Sequence, residues 1–507
     1  MPAPPSRKRS PLQKRCLFNL ALIAALSPAP VFAATYLPAN LTPVQLLEKA
    51  DAAEGALQPG SYAIAERTHG STDTQIVTRV QGANRMTTER SGPFRIAYGK
   101  YEGQSWTQDE NGIVRFTDRV SKITKALADP GDSASGVQLL GLTQADPQEY
   151  VLDVHPADAN EQLRYYNARS FLLDRIVTKY VNGVTATTQY ADYRNVFGLM
   201  RPFKWTYSDG HPENAESGET LIFQRDAEPV SLAPPESYAL FTVPKGAPLE
   251  LPAKFDRGYI TIPVTVGKET LDFALDTGSS SLAIDPGALH RLGIAAYGRS
   301  KERIGGDYDV ERAIVPHFSV GALQMHDIEL DVVPIDFESH VGLLGCDFFA
   351  SGVVGIDMKD KRITITSPDS FDPKALGLQP IPLKLDDCVP DVDASFDGVA
   401  GTFLLDTGAW GTLLQPPFAR KLHSARPLSP GERSRIGFIG GDVPGEDYEI
   451  PNLRLGPILF RHAVAFIPSN RSSDYATDDG IIGRDVMQYY VIYFDYGTGT
   501  AYVKPNP

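Results

Sequence analysis

The sequence predicts a mostly β protein, in which an antiparallel β domain precedes a duplicated β unit. Two observations carry this prediction. Stretches of alternating apolar and polar residues fill positions 35–225, and hairpin-type turns such as Asn111-Gly112 separate them. Beyond residue 252, the chain repeats a set of landmarks in the same order, at offsets of 130 to 138 residues. The 44 glycines and 40 prolines also fit many short strands joined by turns.

The first 33 residues are predicted to be a signal peptide. An apolar stretch from Leu17 to Leu26 follows a basic region, and Val31-Phe32-Ala33 fits the small-residue cleavage rule. The apolar stretch is shorter than a membrane-spanning helix requires, which disfavours the alternative of an uncleaved membrane anchor. We therefore expect an exported protein with no stable membrane insertion once the signal is removed.

Charge and cysteine content restrict the partners and the scaffold. Removal of residues 1–33 takes away five basic and no acidic residues, which changes the formal net charge from −14 to −19. So acidic a chain is not expected to bind nucleic acid or anionic membranes. Cys346 and Cys388 then remain, and the sequence leaves open whether they pair or stay as two buried thiols.

The predicted units follow one another along the chain. Thr42 as N-cap, Pro43 and Gln45 predict an opening helix that stops at Gly55. After residue 225 the chain shows little periodicity and prolines accumulate, which predicts a linker. The expected boundaries are an N-terminal antiparallel β domain at 34–225, a Pro-rich linker at 226–252, a first lobe at 253–366, a connector at 367–380 and a second lobe at 381–507.

The duplicated unit carries two Asp-Thr-Gly triplets. Asp276-Thr277-Gly278 and Asp406-Thr407-Gly408 lie 130 residues apart, and each follows an apolar, strand-like run. Further on, Gly342-Leu343-Leu344-Gly345 recurs as Gly480-Ile481-Ile482-Gly483, at an offset of 138. One triplet alone is a weak signal, but two in matched surroundings indicate duplication.

The chemistry of the triplet explains why two copies belong together. Glycine permits a tight turn at the strand end and a close approach of the partner turn. A buried threonine can hydrogen bond across a pseudo-two-fold axis, which places the two carboxylates side by side. Two adjacent carboxylates share one proton, so the ionised member can accept a proton from water while the protonated member polarises a carbonyl.

These motifs resemble those of the aspartic peptidases over about residues 255–505. The short lobes are most similar to the retroviral-type, or retropepsin-like, unit, here present twice in one chain. The resemblance implies a bilobal acid-protease β fold, a peptide or protein substrate, no metal or organic cofactor, and activity as a monomer. It assigns catalysis to Asp276 and Asp406, with Thr277, Gly278, Thr407 and Gly408 in support.

The resemblance also implies two flaps that cover the substrate. The candidates are Ile304-Gly305-Gly306-Asp307 and Ile439-Gly440-Gly441-Asp442, and the alternative is that both are ordinary glycine hairpin turns. The triplets have different neighbours, since Ser279 follows one and Ala409 the other. Trp410 is unusual beside a triplet, and we expect it to pack in the core rather than line a specificity pocket.

The N-terminal domain carries no catalytic motif. Its opening helix, its long antiparallel strands and the segment 167–176 resemble the periplasmic lipoprotein-carrier family, which implies a half-barrel and a periplasmic location. Three roles stay open: a carrier of an apolar ligand, a substrate-docking domain, or an inhibitory segment over the cleft. For the whole chain, the alternative to an endopeptidase is a non-catalytic binding or carrier protein that keeps a degenerate peptidase-like scaffold.

Overall fold

The computed structural model describes residues 36–117, 136–155, 161–179, 184–225, 231–256, 258–335, 337–386, 388–429, 431–469 and 479–506. The predicted signal peptide at 1–33 lies outside the described residues. The chain is mostly β, as the sequence predicts, with one large N-terminal sheet and two later β lobes. None of the helices in the described part of the chain has the length and apolar character that a membrane crossing requires.

The N-terminal region forms a single 13-stranded sheet in the order β6-β5-β4-β3-β2-β1-β13-β12-β11-β10-β9-β8-β7. Its strands are β1 Ser61–His69, β2 Thr74–Gln81, β3 Asn84–Ser91, β4 Phe94–Tyr101, β5 Gln104–Gln108, β6 Val114–Thr117, β7 Val137–Leu142, β8 Glu149–Val154, β9 Glu161–Asn167, β10 Leu173–Lys179, β11 Thr185–Val196, β12 Leu199–Ser208 and β13 Glu216–Arg225. Each strand in this order runs antiparallel to its neighbours. The sheet is open, because the edge strands β6 and β7 have no pairing to each other in the described ranges.

A helix, α1 (Pro43–Glu54), begins and ends as the sequence predicts. The Thr42 side chain accepts a hydrogen bond from the Gln45 amide at 3.2 Å, and the Gln45 side chain accepts one from the Thr42 amide at 2.9 Å. Gly55 ends the helix with a positive φ of 74°, which glycine adopts without steric cost. Leu46 on its apolar face is fully buried in a cluster with Leu152.

The two lobes that follow have the same topology. Lobe 1 contains β15 Lys254–Asp256, β16 Tyr259–Val266, β17 Glu269–Leu275, β18 Ala283–Ile284, α2 Pro286–Arg291, β19 Ala296–Arg303, β20 Asp307–Val320, β21 Leu323–Val332, β22 Gly342–Leu344 and α3 Cys346–Ala350. Lobe 2 contains β26 Lys384–Asp386, β27 Val389–Phe396, β28 Val399–Leu405, β29 Thr412–Leu414, α4 Pro416–Ala425, β30 Glu432–Phe438, β31 Gly441–Leu455, β32 Ile458–Pro468, β33 Gly480–Ile482 and α5 Arg484–Met487. The strand orders are β15-β16-β17-β22-β18-β21-β20-β19 and β26-β27-β28-β33-β29-β32-β31-β30, so the repeat in the sequence is also a repeat in the fold.

A six-stranded sheet joins the lobes, in the order β14-β24-β23-β34-β35-β25. Its strands are β14 Leu249–Leu251, β23 Val353–Asp357, β24 Arg362–Thr366, β25 Gln379–Pro382, β34 Tyr490–Asp495 and β35 Thr500–Pro505. The central pairing is between β23 of lobe 1 and β34 of lobe 2, with Ile356 opposite Ile492. This ladder of backbone hydrogen bonds crosses the boundary between the two lobes. The lobes also share one hydrophobic core.

A disulfide bond also links the lobes. Cys346 opens α3 of lobe 1, Cys388 precedes β27 of lobe 2, and their Cα atoms lie 5.8 Å apart. Both side chains are buried. The structure therefore selects the paired state that the sequence left open.

The N-terminal domain docks on lobe 1 through the hairpin loop between β5 and β6. The Asn111 amide donates to Asp347 Oδ2 at 2.8 Å, and its oxygen accepts from the Glu329 backbone amide at 2.9 Å. Arg115 forms an ion pair with Asp347, and Ile113 is buried in the core shared by the lobes. The segment predicted as a linker packs here as well, with the Phe241 ring 5.6 Å from that of Phe348.

Acidic side chains are concentrated at this interface. Glu329 is 7% exposed, and its Oε1 is buried without a hydrogen-bond partner. Burial, followed by the charges of Asp331 and Glu110, raises the pKa of Glu329 to about 9. Burial likewise raises the pKa of Asp347 to about 7, with a further contribution from Asp109. Glu329 therefore keeps, near neutral pH, a proton that it would lose in water, whereas Asp347 is the carboxyl paired with Arg115. The charged groups that meet at this interface are Asp109, Glu110, Arg115, Arg312, Glu329, Asp331 and Asp347.

Removal of the disulfide should destabilise the protein. The bond closes a separation of 42 residues, for which the chain-entropy model gives about 4 kcal/mol. We expect the double variant Cys346→Ala/Cys388→Ala to unfold at a lower temperature than the wild type in a thermal melt. Reductant should lower the wild-type midpoint to the same degree and leave the variant unchanged. A reductant-insensitive wild type would mean that the two thiols are not paired in solution.

The interface should weaken as pH rises. Because the folded-state pKa of Glu329 is raised, its stabilising contribution is full below about pH 4.5 and is lost as pH rises through about 9. In that window the loss should approach about 1.4 kcal/mol per pH unit. We expect Glu329→Gln to flatten the pH dependence of the melting temperature between pH 5 and 8, and Glu269→Gln, at an exposed position, to leave it unchanged. Equal slopes for all three proteins would contradict a protonated Glu329.

Candidate active site

Each Asp-Thr-Gly triplet follows the end of a strand that runs parallel to a glycine-flanked pair. β17 pairs with β22, with Leu275 opposite Leu344, and β28 pairs with β33, with Leu405 opposite Ile482. The Asp276 amide donates to the Leu344 carbonyl at 3.1 Å, and in lobe 2 the Asp406 amide donates to the Ile482 carbonyl at 3.0 Å. The two repeated motifs of the sequence thus lie side by side in each lobe.

The two threonines join the turns across the lobe boundary. The Thr277 amide donates to Thr407 Oγ1 at 3.0 Å, and the Thr407 amide donates to Thr277 Oγ1 at 2.9 Å. Each hydroxyl in turn donates to a carbonyl of the other lobe, Thr277 to Leu405 at 2.7 Å and Thr407 to Leu275 at 2.8 Å. These four bonds are buried, so they fix the two turns against each other.

The two glycines let the carboxylates meet. A Cβ atom at Gly278 would lie 2.7 Å from Cγ of Asp406, and one at Gly408 would lie 2.5 Å from Cγ of Asp276. No heavy atom is tolerated at these distances, so only glycine fits. Each carboxylate also accepts an amide hydrogen bond from its own turn, Asp276 from Gly278 at 2.9 Å and Asp406 from Gly408 at 2.7 Å.

The surroundings of the two carboxyls differ. Burial, the negative charge of Asp406 and the hydrogen bond between the two carboxyls raise the pKa of Asp276 well above its ordinary value. Burial also raises the pKa of Asp406, but amide hydrogen bonds from Gly408 and Ala409 oppose that rise. The Ala409 amide donates to Asp406 Oδ1 at 3.1 Å, whereas the Ser279 amide donates to the backbone carbonyl of Asp276. The additional amide donor favours the negative charge on Asp406 and hence the shared proton on Asp276.

Both predicted flap segments lie at the tips of β-hairpins. Gly305 and Gly306 lie in the turn between β19 and β20, and Gly440 and Gly441 lie at the turn between β30 and β31. The tips meet, since the Gly440 amide donates to the Ile304 carbonyl at 2.9 Å. A Cβ at Gly305 would lie 2.7 Å from the Gly441 carbonyl oxygen, so this contact requires small residues.

Comparison with known proteins relates the sequences of the two lobes to a protein family. Residues 262–348 and 392–486 match the family model described as aspartyl protease, and each match contains one triplet and one glycine-flanked pair. Both lobes match the aspartyl protease family. A comparison with curated proteins finds no match.

Solved structures resemble the chain in parts. An aspartic proteinase from Irpex lacteus shares 12% sequence identity and a TM-score of 0.35, covering 51% of this chain and 98% of that one. A LolA superfamily protein from Nitrosomonas europaea, similar to the N-terminal part, shares 18% identity and a TM-score of 0.29, covering 37% of this chain and 96% of that one.

Arg484 adds a charge beside the dyad to which the sequence assigned no role. It follows the glycine-flanked pair of the second lobe, where Cys346 stands in the first. The side chain is 3% exposed, lies 5.1 Å from the centroid of the Tyr259 ring, and donates from Nε to the Ala409 carbonyl at 3.3 Å. Its positive charge opposes the rise in the pKa of Asp276 and of Asp406. The signal in the sequence that could have identified Arg484 is the difference between arginine and cysteine at the matching positions after the two glycine-flanked pairs.

The expectation that Trp410 packs in the core is wrong. Its side chain is 59% exposed, and its ring centroid lies 5.8 Å from the guanidinium carbon of Arg484. Trp410 lies three positions after the buried Thr407, on the exposed side of the turn. Trp410 therefore covers Arg484 and leaves its other face to solvent.

Among the described residues, one group has the chemistry of metal ligands, and it lies in the N-terminal sheet. Ligand atoms of Asp153, His155 and Glu161 lie within 4.8 Å of one another. Lys179 forms an ion pair with Glu161, and His155 Nε2 lies 3.0 Å from Asp153. The ammonium group of Lys179 thus already neutralises part of the negative charge of this group.

Loss of one threonine hydroxyl should destabilise the junction between the two lobes. Thr277→Val leaves the Leu405 carbonyl and the Thr407 amide buried without their partner, and should lower the free energy of unfolding by about 3 kcal/mol. Thr277→Ser keeps the hydroxyl and loses one methyl group, so about 1 kcal/mol is expected. Chemical denaturation of the three proteins tests this order. Equal losses in the two variants would mean that packing, not hydrogen bonding, holds the turns.

Proposed function

We propose that the chain is an exported aspartic-type endopeptidase, which hydrolyses peptide bonds of extended peptides or proteins bound between the two lobes. The single observation that supports this most strongly is the close pair Asp276 and Asp406, held by the cross-lobe bonds of Thr277 and Thr407. Two carboxyls with one shared proton can act as base and acid at the same carbonyl.

The inequivalent surroundings give each carboxyl a role. The ionised Asp406 accepts a proton from a water molecule as the water oxygen bonds to the substrate carbonyl carbon. The protonated Asp276 donates its proton to the carbonyl oxygen, which yields a neutral diol. As the C–N bond breaks, the leaving amine takes the proton from Asp406, and one diol hydroxyl returns a proton to Asp276. The dyad thus regains its starting state without a covalent intermediate.

Several features of the chain support a monomer that acts alone. Both carboxyls, both flap hairpins and the six-stranded sheet that joins the lobes come from one chain. We therefore infer that no second copy is needed to complete the site. The reaction as written uses water and the two carboxyls and requires no organic cofactor.

The wall of lobe 1 supports a preference for an apolar side chain in the substrate. Beside the dyad lies a cluster of small and apolar side chains, and Ile304 and Ile439 from the two flap tips pack against it. Its buried members are Ala274, Ala283, Tyr308, Val310, Val333, Ile335 and Leu343. An apolar side chain that enters from the cleft would lose water contact on this wall.

We place the protein in the periplasm. The predicted signal peptide supports export, and the N-terminal resemblance to the lipoprotein-carrier family favours that compartment over the medium. An oxidising compartment is also consistent with the Cys346–Cys388 bond.

The proposal predicts that either aspartate is essential. Mature protein is incubated with a mixed peptide library from pH 3 to 8, together with Asp276→Asn, Asp406→Asn and the exposed control Asp360→Asn. Loss of one partner removes the acid or the base, so we expect a fall in kcat of roughly 10³-fold or more for both dyad variants, and none for the control.

The pH profile gives a second readout. Activity should fall at low pH, as Asp406 becomes protonated, and at high pH, as Asp276 loses its proton. Because both pKa values are raised, both limbs should lie above the ordinary aspartate value of about 3.9. A folded wild type that cleaves nothing, or cleavage that survives in both dyad variants, would refute the proposal and favour a binding protein on a peptidase-like scaffold.

A further inference from the structure

One contact between the N-terminal domain and the flap hairpin of lobe 1 is made by an asparagine side chain. Asn214 ends the short 3-10 turn Pro212–Asn214 between β12 and β13. Its Oδ1 accepts a hydrogen bond from the Lys301 amide at 2.6 Å, and its Nδ2 donates to the Lys301 carbonyl at 2.8 Å. Lys301 lies on β19, the edge strand of its sheet. The amide side chain therefore takes the place of a neighbouring strand for one residue.

Aromatic packing supports the same strand. The Phe94 ring on β4 meets the Tyr297 ring on β19 edge to face, with centroids 5.8 Å apart. Arg312, on the partner strand β20, lies over the Phe94 ring at 4.4 Å and forms an ion pair with Glu110. Both strands of the lobe 1 hairpin are thus attached to the N-terminal domain.

The attachment is close to the flap tip. Lys301 lies only three residues before Ile304, the residue whose carbonyl accepts from Gly440 of the other tip. A strand held at Lys301 limits how far that tip can move away from the dyad.

In the described part of the chain, no comparable contact supports the lobe 2 hairpin. Its outer strand β30 occupies the same edge position in the matching sheet. Within the ranges that the structure describes, β30 makes no hydrogen bond or ion pair to the N-terminal domain. The two flaps therefore have equivalent topology and different attachment.

The contact at Asn214 is local rather than part of a continuous packed surface. A cavity of about 420 Å³ lies beside it, lined by Gly70, Ser71, Glu213, Gly298 and Arg299 among others. The two hydrogen bonds of Asn214 restrain the backbone of Lys301 directly.

We propose that Asn214 is a positioning residue that holds the lobe 1 flap in place, so that the lobe 2 flap is the one that opens to admit substrate. The restraint itself depends only on the fold. Its effect on catalysis rests on the proposed peptidase function.

Hydrogen–deuterium exchange tests the restraint without any substrate. In the wild-type full chain, exchange corrected for intrinsic rates should be slower in residues 296–303 than in the matching strand 432–438. Asn214→Ala should speed up exchange in 296–303 by about tenfold or more and leave 432–438 unchanged. Asn84→Ala is the matched control, since Asn84 accepts one backbone hydrogen bond, from Glu102, inside the N-terminal domain.

A second variant keeps the proposal falsifiable if Asn214→Ala disturbs the domain. Asn214→Asp has nearly the same shape, but its ionised carboxyl cannot donate to the Lys301 carbonyl and faces the carboxylate of Asp209, which accepts from Asn214 at 2.7 Å. Once protonated it can donate again. Protection of 296–303 should therefore be lost near pH 7 and recover near pH 4, while the wild type shows no such change.

Kinetics separate the flap from the chemistry. With a peptide that the wild type cleaves, Asn214→Ala should raise KM several-fold and change kcat less, because the dyad is untouched. A wild type without cleavage, but with slow exchange at 296–303, would refute the proposed function and leave the restraint standing. Equal exchange of the two outer strands in the wild type, or no response of 296–303 to either Asn214 variant, would overturn the restraint.

Discussion

The structure depends on one constraint: two carboxyls that repel each other when ionised are forced into contact. The four cross-lobe bonds of Thr277 and Thr407 impose this contact, and Gly278 and Gly408 leave the space for it. Since two neighbouring carboxylates cannot both ionise at ordinary cost, the opposing free energy must come from elsewhere in the fold. The ladder between β23 and β34, the shared core and the Cys346–Cys388 bond all cross the same lobe boundary. These three links hold Asp276 and Asp406 together, whereas in a separated lobe each carboxyl would be exposed to water.

Duplication makes two such turns, and small differences between the copies make them chemically distinct. Ala409 presents its amide to Asp406, whereas Ser279 presents its amide to a backbone carbonyl. At the end of the glycine-flanked pair, one lobe has Arg484 near the dyad and the other has Cys346 in a disulfide. A symmetric pair would leave the proton shared equally. These departures from symmetry favour the proton on Asp276 and the negative charge on Asp406.

The sequence predicts best what is local or repeated. The strand-turn position of each triplet, the capped helix at Pro43–Glu54 and the hairpin tips at Gly305 and Gly440 follow from turn chemistry and from matched spacing. It predicts poorly what depends on a distant partner. Asn111 and Asn214 each contact another domain through a single side chain, and such a contact produces no periodic pattern in the sequence. The expectation that Trp410 packs in the core is wrong for a related reason. Aromatic side chains favour burial in general, but the exposure of this one depends on which face of the turn the other lobe covers.

The position of these contacts bears on the three roles that the sequence left open for the N-terminal domain. An inhibitory segment would have to lie over Asp276 and Asp406, yet in the described ranges this domain bonds to the outer side of lobe 1, at Lys301, Glu329 and Asp347. In the described ranges, none of these contacts involves Asp276 or Asp406. They also connect two properties of the domain, because the raised pKa of the buried Glu329 predicts docking that is sensitive to pH, and Asn214 attaches the domain to the flap hairpin. Under the restraint that we propose for Asn214, the domain would act on the site by limiting the movement of its cover, a role that requires neither a carried ligand nor an occupied cleft.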